Sequence, residues 1–112
     1  YVALIEALEF VHGKAAARVR LAAPADTEVA EFETAVFDSM RFLKRHAVAC
    51  VSMPDESERG HRTADASFLV EREKWSAFDE ALREEKERYP DVVFEKSGPW
   101  PAYDFVRLQF GG

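Results

Sequence analysis

Three histidines and one cysteine are the side chains of this 112-residue sequence best suited to metal binding or nucleophilic chemistry. His12 and His46 fall near the ends of segments with helical spacing, and His61 falls in a polar loop. No two of them have the close spacing at which histidine and cysteine ligands hold structural zinc. A protonated His46 would instead stabilise the carboxyl end of its helix. The sequence therefore predicts neither a metal site nor a bound cofactor.

Cys50 is the only cysteine, and its neighbours Val48, Ala49 and Val51 predict a buried strand. In such surroundings a thiol behaves as a small hydrophobic side chain rather than as a nucleophile. A single cysteine cannot form a disulfide within the chain, and nothing in the sequence indicates an oxidising compartment. We therefore expect an unreactive thiol and a cytoplasmic location.

Many carboxylates lie between residues 71 and 87, but basic side chains are interspersed through the same stretch. On a helix, opposite charges three or four residues apart form a solvated, ion-paired surface that needs no reaction to explain it. The sequence also contains no glycine-rich phosphate loop, nucleophile elbow or zincin motif. These observations predict a protein that is not an enzyme.

The composition is that of one globular domain over residues 1–112, with 47% hydrophobic and 32% charged residues. The formal net charge is -6 at pH 7. Nucleic acids and anionic membrane surfaces attract basic proteins, so neither is expected as the main partner. No apolar run reaches the ~18 residues that a bilayer span requires, so no membrane span is expected.

Hydrophobic spacing divides the first half of the chain into alternating helices and strands. A short amphipathic helix is predicted over 2–12 and a half-buried strand over 15–23. A longer helix is predicted over about 27–45, because apolar residues recur there at steps of three and four. These residues are Val29, Phe32, Val36, Met40 and Leu43. The short apolar run 47–53 then predicts a central strand that is buried on both faces.

The second half of the chain continues this alternation. A polar loop is predicted over 54–64, a strand over 66–70 and a helix over about 74–88. A further strand is predicted over 92–96, and it is expected to end at the glycine and prolines of 98–101.

The order of the elements after the first helix is that of the ferredoxin-like split βαβ fold. This α+β fold places two helices on one face of a four-stranded antiparallel sheet. The predicted core covers about 15–97. The short N-terminal helix precedes it, and the aromatic, proline-rich segment 98–110 follows it as a C-terminal extended tail.

The segment 98–110 has the most unusual composition in the chain. Pro99 and Pro101 restrict the backbone on both sides of Trp100, and Tyr103 and Phe105 follow shortly after. Such a rigid aromatic corner could close the open end of the sheet as a structural plug. It could also present a preformed apolar contact to a partner, since Trp and Tyr are favoured in binding hot spots. These five residues are the candidate partner-binding residues, and both uses stay open.

The same segment resembles the C-terminal signature of the GvpF/GvpL family of gas vesicle proteins, in which a strand ends in a Gly-Pro-Trp/Leu-Pro-Pro-Tyr-Ser-Phe-Val-like run. The matching residues are Gly98, Pro99, Trp100, Pro101, Tyr103, Phe105 and Val106. Ala102 replaces the second proline of the family's pair, and Asp104 replaces the serine. The stretch Ser67–Arg72 is similar to the family's Ala-Phe/Tyr-Leu-Val-Glu/Asp-Arg strand, and Phe78 follows it at the expected distance.

This resemblance implies a non-enzymatic accessory protein for gas vesicle assembly and hence for buoyancy, located in the cytoplasm and associated with gas vesicles. It implies binding to the small, very hydrophobic shell protein GvpA, and to other gas vesicle accessory proteins, during vesicle formation. We expect the contact at the sheet face or edge that the helices leave open, near Trp100 and Tyr103. Family members usually carry an N-terminal domain of similar size before this region, so the sequence is expected to be a C-terminal part or a shortened member.

A ferredoxin-like fold serves many unrelated functions, so two alternatives stay open. The main alternative is a small-molecule-binding or enzymatic ferredoxin-like domain, dimeric through its sheet, with a pocket between sheet and helix. The other is a purely structural interaction module within a larger protein. Convergent polar groups in a deep apolar pocket would favour the first, and a large featureless apolar sheet face would favour the second.

Overall fold

A computed structural model of the chain describes residues 12–52 and 61–102. The strands are β1 (Lys14–Pro24), β2 (Ala49–Ser52), β3 (His61–Glu71) and β4 (Val93–Pro101), and the helices are α1 (Val29–Lys44) and α2 (Trp75–Arg88). A 3₁₀ turn over Arg72–Lys74 leads into α2. The helix predicted over 2–12, the tail beyond 102 and most of the loop predicted over 54–64 lie outside the described residues.

The four strands form one antiparallel sheet in the order β2-β3-β1-β4. The two central strands pair along their whole length, from Lys14 opposite Glu71 to Pro24 opposite His61. α1 connects β1 to β2 and α2 connects β3 to β4. This connectivity and strand order confirm the predicted ferredoxin-like α+β fold.

One face of the sheet packs against both helices and forms the main core. Period-two alternation places Ala17, Val19 and Leu21 of β1 on this face, beside Phe68 and Val70 of β3. The large buried helical side chains in this core are Phe32 and Leu43 from α1 and Phe78 and Leu82 from α2. Burying a large apolar side chain contributes about 1.5–3 kcal/mol, so this layer is the main source of stability.

A polar contact joins the end of α2 to α1. The hydroxyl of Tyr89 donates a hydrogen bond of 2.9 Å to Oδ2 of Asp38. Burial, together with this hydrogen bond, raises the pKa of the Tyr89 hydroxyl, which keeps it in the donating form. One turn earlier, the buried carboxylate of Glu85 lies 3.5 Å from the guanidinium of Arg88. The hydrogen bond from Tyr89 to Asp38 joins the two helices at this end, whereas the Glu85–Arg88 pair lies within α2.

Two predictions about the strands are wrong. β2 is not central, because among the described strands it pairs with β3 alone and lies at the edge of the sheet with mostly half-buried side chains. Its apolar residues are explained by packing on both faces at one edge, since Cys50 contacts the helix-covered core and Val51 contacts the opposite face. β4 does not end before the prolines but continues through Gly98 to Pro101. Edge strands tolerate proline because an N–H that faces away from the neighbouring strand is not needed for hydrogen bonding within the sheet.

Candidate partner-binding site

β4 contains an irregularity opposite the first half of β1. Trp100 lies opposite Ala16 and Ser97 lies opposite Arg18, so one more residue separates the β4 pair than the β1 pair. The extra residue belongs to the Gly98–Pro99 dipeptide, whose peptide bond is cis. This arrangement is a β-bulge, which re-aims the side chains that follow it.

The bulge turns Trp100 to the same sheet face as Ser97. In a regular strand, residues three positions apart point to opposite faces. Here the indole Nε1 of Trp100 donates a hydrogen bond of 3.0 Å to Oγ of Ser97. The orientation of the ring is therefore set by the backbone irregularity and by this hydrogen bond.

Gly98 is required at the bulge because the backbones of β1 and β4 approach closely there. Its φ is +123°, a conformation that side-chain-bearing residues rarely adopt. A Cβ at this position would lie 2.8 Å from the carbonyl oxygen of Ala16 and 3.3 Å from Cδ1 of Trp100. A larger residue would therefore push apart the strand pair that carries Trp100.

Arg18 supports the indole from the neighbouring strand. Its Cζ lies 5.6 Å from the centroid of the Trp100 ring, within the range of a cation–π contact. Its Nε is buried and has no hydrogen-bond partner among the residues that the structure describes. Arg18 alternates with Ala17 and Val19, which face the helices, so it lies on the opposite face of the sheet. A cation and the tryptophan thus lie beside each other on the face of the sheet opposite α1 and α2.

Trp100 ends an apolar row that crosses the sheet on this face. The strand register places Ala49, Leu69, Ala16 and Trp100 side by side on β2, β3, β1 and β4. Leu69 and Ala16 are fully buried and pack with Ala102, whereas Trp100 is 40% exposed. The middle of the row is thus closed to a partner. The accessible apolar surface lies at the β4 edge.

The same face becomes charged farther along the strands. Nε of Arg20 lies 2.8 Å from Oδ1 of Asp65, and Glu95 is the β4 residue opposite Arg20. An apolar partner would have to desolvate these charges, which is costly. The charges therefore confine an apolar contact to the Trp100 end of the face.

The edge around Trp100 is suited to side-chain contact rather than to strand addition. Pro99 and Pro101 are both exposed, and neither has a backbone N–H to donate. A partner strand needs a regular series of donors and acceptors along the edge. The surface available to a partner therefore consists of the indole and the two proline rings. We refer to Ser97–Pro101 as the β4 edge site.

The structure brings together three of the five predicted site residues, namely Pro99, Trp100 and Pro101. Tyr103 and Phe105 lie outside the described residues. Trp100 is exposed, whereas its neighbour Ala102 is buried against the sheet, and both uses of the aromatic corner stay predictions. Sequence reasoning missed Ser97 and Arg18. The alternation of Arg18 with apolar residues indicates on which face of the sheet it lies. Its contact with the indole depends on the bulge in β4, which turns Trp100 to the same face.

Among the described residues, the other side chains considered for chemistry form no reactive site. Burial raises the pKa of the Cys50 thiol, and the charge of Lys44 offsets this only in part, so the thiol is neutral at physiological pH. Among residues 12–52 and 61–102, no three His, Cys, Asp or Glu side chains are grouped to hold a metal ion. Neither described helix combines the length and the apolar character needed to cross a membrane.

Comparison with known sequences gives one consistent result. A family model described as gas vesicle synthesis protein GvpL/GvpF matches residues 4–107. Gas vesicle protein F2 of Halobacterium salinarum is 28% identical over 109 residues, which cover 97% of this chain and 49% of the relative.

Two crystal structures share the fold. GvpF from Anabaena sp. PCC7120 superposes with a TM-score of 0.78 at 14% identity, covering 94% of this chain and 55% of that protein. GvpF from Microcystis aeruginosa superposes with a TM-score of 0.77 at 10% identity, covering 96% of this chain and 60% of that protein. The chain therefore spans between about half and three fifths of the length of these relatives.

Proposed function

The chain belongs to the gas vesicle synthesis protein GvpL/GvpF family, and from this premise we propose that it is a non-enzymatic assembly factor that binds the shell protein GvpA at the β4 edge site. Trp100, Pro99 and Pro101 make the contact, and Tyr103 and Phe105 extend it. The binding takes place in the cytoplasm during vesicle formation, where further gas vesicle accessory proteins are also partners. No observation favours the small-molecule-binding or enzymatic alternative over this proposal.

The proposal rests chiefly on the exposed and oriented indole of Trp100. A large aromatic side chain that is 40% exposed loses little entropy on binding when its ring is already fixed. The hydrogen bond to Ser97 and the stacking of Arg18 fix it. Preoriented tryptophans of this kind dominate the energy of many interfaces.

The charge of the chain fits a protein that keeps an apolar partner in solution. A hydrophobic shell subunit exposes apolar surface that aggregates in water unless it is covered. The β4 edge site can cover such surface, and the formal charge of -6 keeps the complex soluble and discourages self-association.

Co-expression with GvpA tests the proposal. The chain is co-purified from cells that also make GvpA, and the amount of soluble GvpA that elutes with it is measured. We expect wild type to retain GvpA. We expect Trp100→Ala to bind GvpA at least about tenfold more weakly, which corresponds to a loss of about 1.4 kcal/mol in binding free energy. The matched control is Phe37→Ala, an exposed aromatic residue on α1 at a distance from β4, which should retain GvpA.

Each other outcome contradicts the proposal in a specific way. GvpA that aggregates in the presence of wild-type chain shows that this chain does not bind it. Unchanged retention by a folded Trp100→Ala variant shows that the β4 edge site is not the contact. Loss of GvpA from Phe37→Ala but not from Trp100→Ala shows that the contact lies on α1. Circular dichroism of each variant establishes that it is folded.

A further inference from the structure

A groove of about 710 Å³ runs along α1, between this helix and the start of β3. Val29, Val36, Phe37 and Met40 form its apolar wall on the helix side. Ala64 lies on the strand side. We refer to this surface as the α1 groove.

α1 carries more apolar surface than the fold uses. Its buried stripe consists of Phe32, Ala35, Ser39 and Leu43. The wall of the α1 groove continues this stripe towards solvent, because Val36 and Met40 are partly buried against the core, whereas Phe37 is 65% exposed and Val29 is 48% exposed. An exposed apolar stripe next to a groove is typical of a binding surface.

Among the described residues that line the α1 groove, three are basic and one is acidic, although the chain as a whole is acidic. Arg62 lies at one end, because its Nε donates a hydrogen bond of 2.8 Å to the carbonyl oxygen of Thr27, just before α1 begins. Arg41 and Lys44 mark the other end, in the last turns of the helix. Glu33 is the one acidic residue among the lining side chains that the structure describes. The groove thus has an apolar middle and a basic side chain at each end, and it contains one described carboxylate, Glu33, one turn into α1.

The dimensions of the groove fit a helix. α1 has 16 residues and is therefore about 24 Å long at 1.5 Å per residue. A partner helix of roughly 16 residues would lie along it with one apolar stripe against Phe37 and Met40. Carboxylates near both ends of that helix would meet the cations at both ends of the groove.

We propose that the α1 groove binds an amphipathic helix of a partner protein, with an apolar central stripe and acidic residues towards both ends. This site is separate from the β4 edge site, because β4 is one edge of the sheet and the groove adjoins β2 at the other. The two edges are three strand spacings apart, about 14 Å. The domain can therefore hold two partners at once and act as an adaptor between them.

The test uses two synthetic fluorescent peptides of equal length with the same leucine stripe. One carries glutamates towards both ends and the other carries lysines at the same positions. Fluorescence anisotropy measures their binding to the 112-residue chain. We expect the glutamate peptide to bind at least about tenfold more tightly than the lysine peptide, and the preference to shrink as salt is added.

Three variants locate the binding. Phe37→Ser should weaken binding of the glutamate peptide about tenfold or more, with an unchanged urea midpoint because the side chain is exposed. Replacing both Arg41 and Lys44 by Glu should reverse the preference between the peptides. Trp100→Ala should leave peptide binding unchanged, which keeps this inference distinguishable from the proposed GvpA contact.

Several results would overturn the inference. Equal binding of the two peptides would show that the cations do not select the partner. Full binding by Phe37→Ser, or no binding by wild type, would show that the groove is not a helix site. If wild type sediments as a dimer that Phe37→Ser converts to a monomer, the occupant is a second copy of the chain instead.

Discussion

The β4 edge site and the α1 groove are two apolar surfaces of one small domain, and they are constructed differently. At the β4 edge the backbone does the positioning, through the bulge at Gly98 and the prolines around Trp100. In the α1 groove a regular helix presents Phe37 and Met40 beside a stripe that is already buried. The first surface depends on strand geometry, and the second depends only on side chains.

This difference determines how each surface responds to mutation. Backbone geometry at the β4 edge is shared with the pairing of β4 to β1, so changes there should affect stability and binding together. Exposed side chains of α1 contribute little to the core, so changes there should affect binding alone. The predictions below test this distinction, beginning with the largest expected effect.

Replacing Gly98 by Ala should cause the largest loss. The φ of +123° and the 2.8 Å approach of a Cβ to the carbonyl of Ala16 both oppose a side chain here. We expect the free energy of unfolding, measured with urea, to fall by about 2–4 kcal/mol. We also expect less GvpA to co-purify, because Trp100 moves with the bulge.

Gly13→Ala is the matched control for this prediction. Gly13 also has a positive φ, +72°, but a Cβ there would meet nothing within 4 Å. Only the cost of the left-handed conformation applies, about 1 kcal/mol. Equal losses in the two variants would show that the close approach of β1 and β4 at Gly98 is relaxed without cost.

The sequence was sufficient to predict the regular parts of this fold. The alternation in β1 and the three-and-four spacing in α1 and α2 are local signals, and the ferredoxin-like order follows from them. The bulge could not be predicted, because Gly and Pro at 98–101 are equally typical of a strand end. The face to which Trp100 points depends on one extra residue in β4. Whether that residue forms a bulge depends on how β4 pairs with β1.

The apolar spacing of α1 also did not show how deeply each residue is buried. Phe32 and Leu43 are buried in the core, Val36 and Met40 are partly buried against the core at the α1 groove, and Val29 is exposed. All five lie on a wide arc of one helix, so spacing alone cannot show where the core ends. The edge position of β2 has a similar cause, because an apolar strand can be central or can pack on both faces at an edge. In both cases the missing information is which element lies alongside.

Removing the hydroxyl of Ser97 should have an intermediate effect. Ser97→Ala deletes the 3.0 Å acceptor for Nε1 of Trp100 at an exposed position, so stability should fall by about 0.5–1 kcal/mol. Ser97→Thr keeps the hydroxyl and serves as the control. A double-mutant cycle with Trp100→Phe measures the coupling, which should account for most of the loss. A coupling of zero would show that the hydrogen bond does not hold the indole.

The smallest effect concerns the cationic end of the α1 groove. Burial raises the pKa of the Cys50 thiol, and the charge of Lys44 lowers it to a lesser extent. The rate of alkylation by iodoacetamide, followed from pH 7 to pH 10, should therefore give an apparent pKa above the ordinary value for cysteine. Lys44→Met should raise it further, whereas Lys74→Met, at the start of α2, should not.

The sign of the linked stability follows from the same shift. A thiol whose pKa is raised by folding binds its proton more tightly in the native state than in the unfolded state. Its contribution is therefore present below the unfolded pKa and is lost as the pH rises through the folded value. A glutamate peptide bound beside Lys44 should oppose that lysine's charge and shift the thiol pKa upward, as Lys44→Met does. An apparent pKa that changes with neither the mutation nor the peptide would mean that the field of Lys44 does not extend to Cys50 in β2.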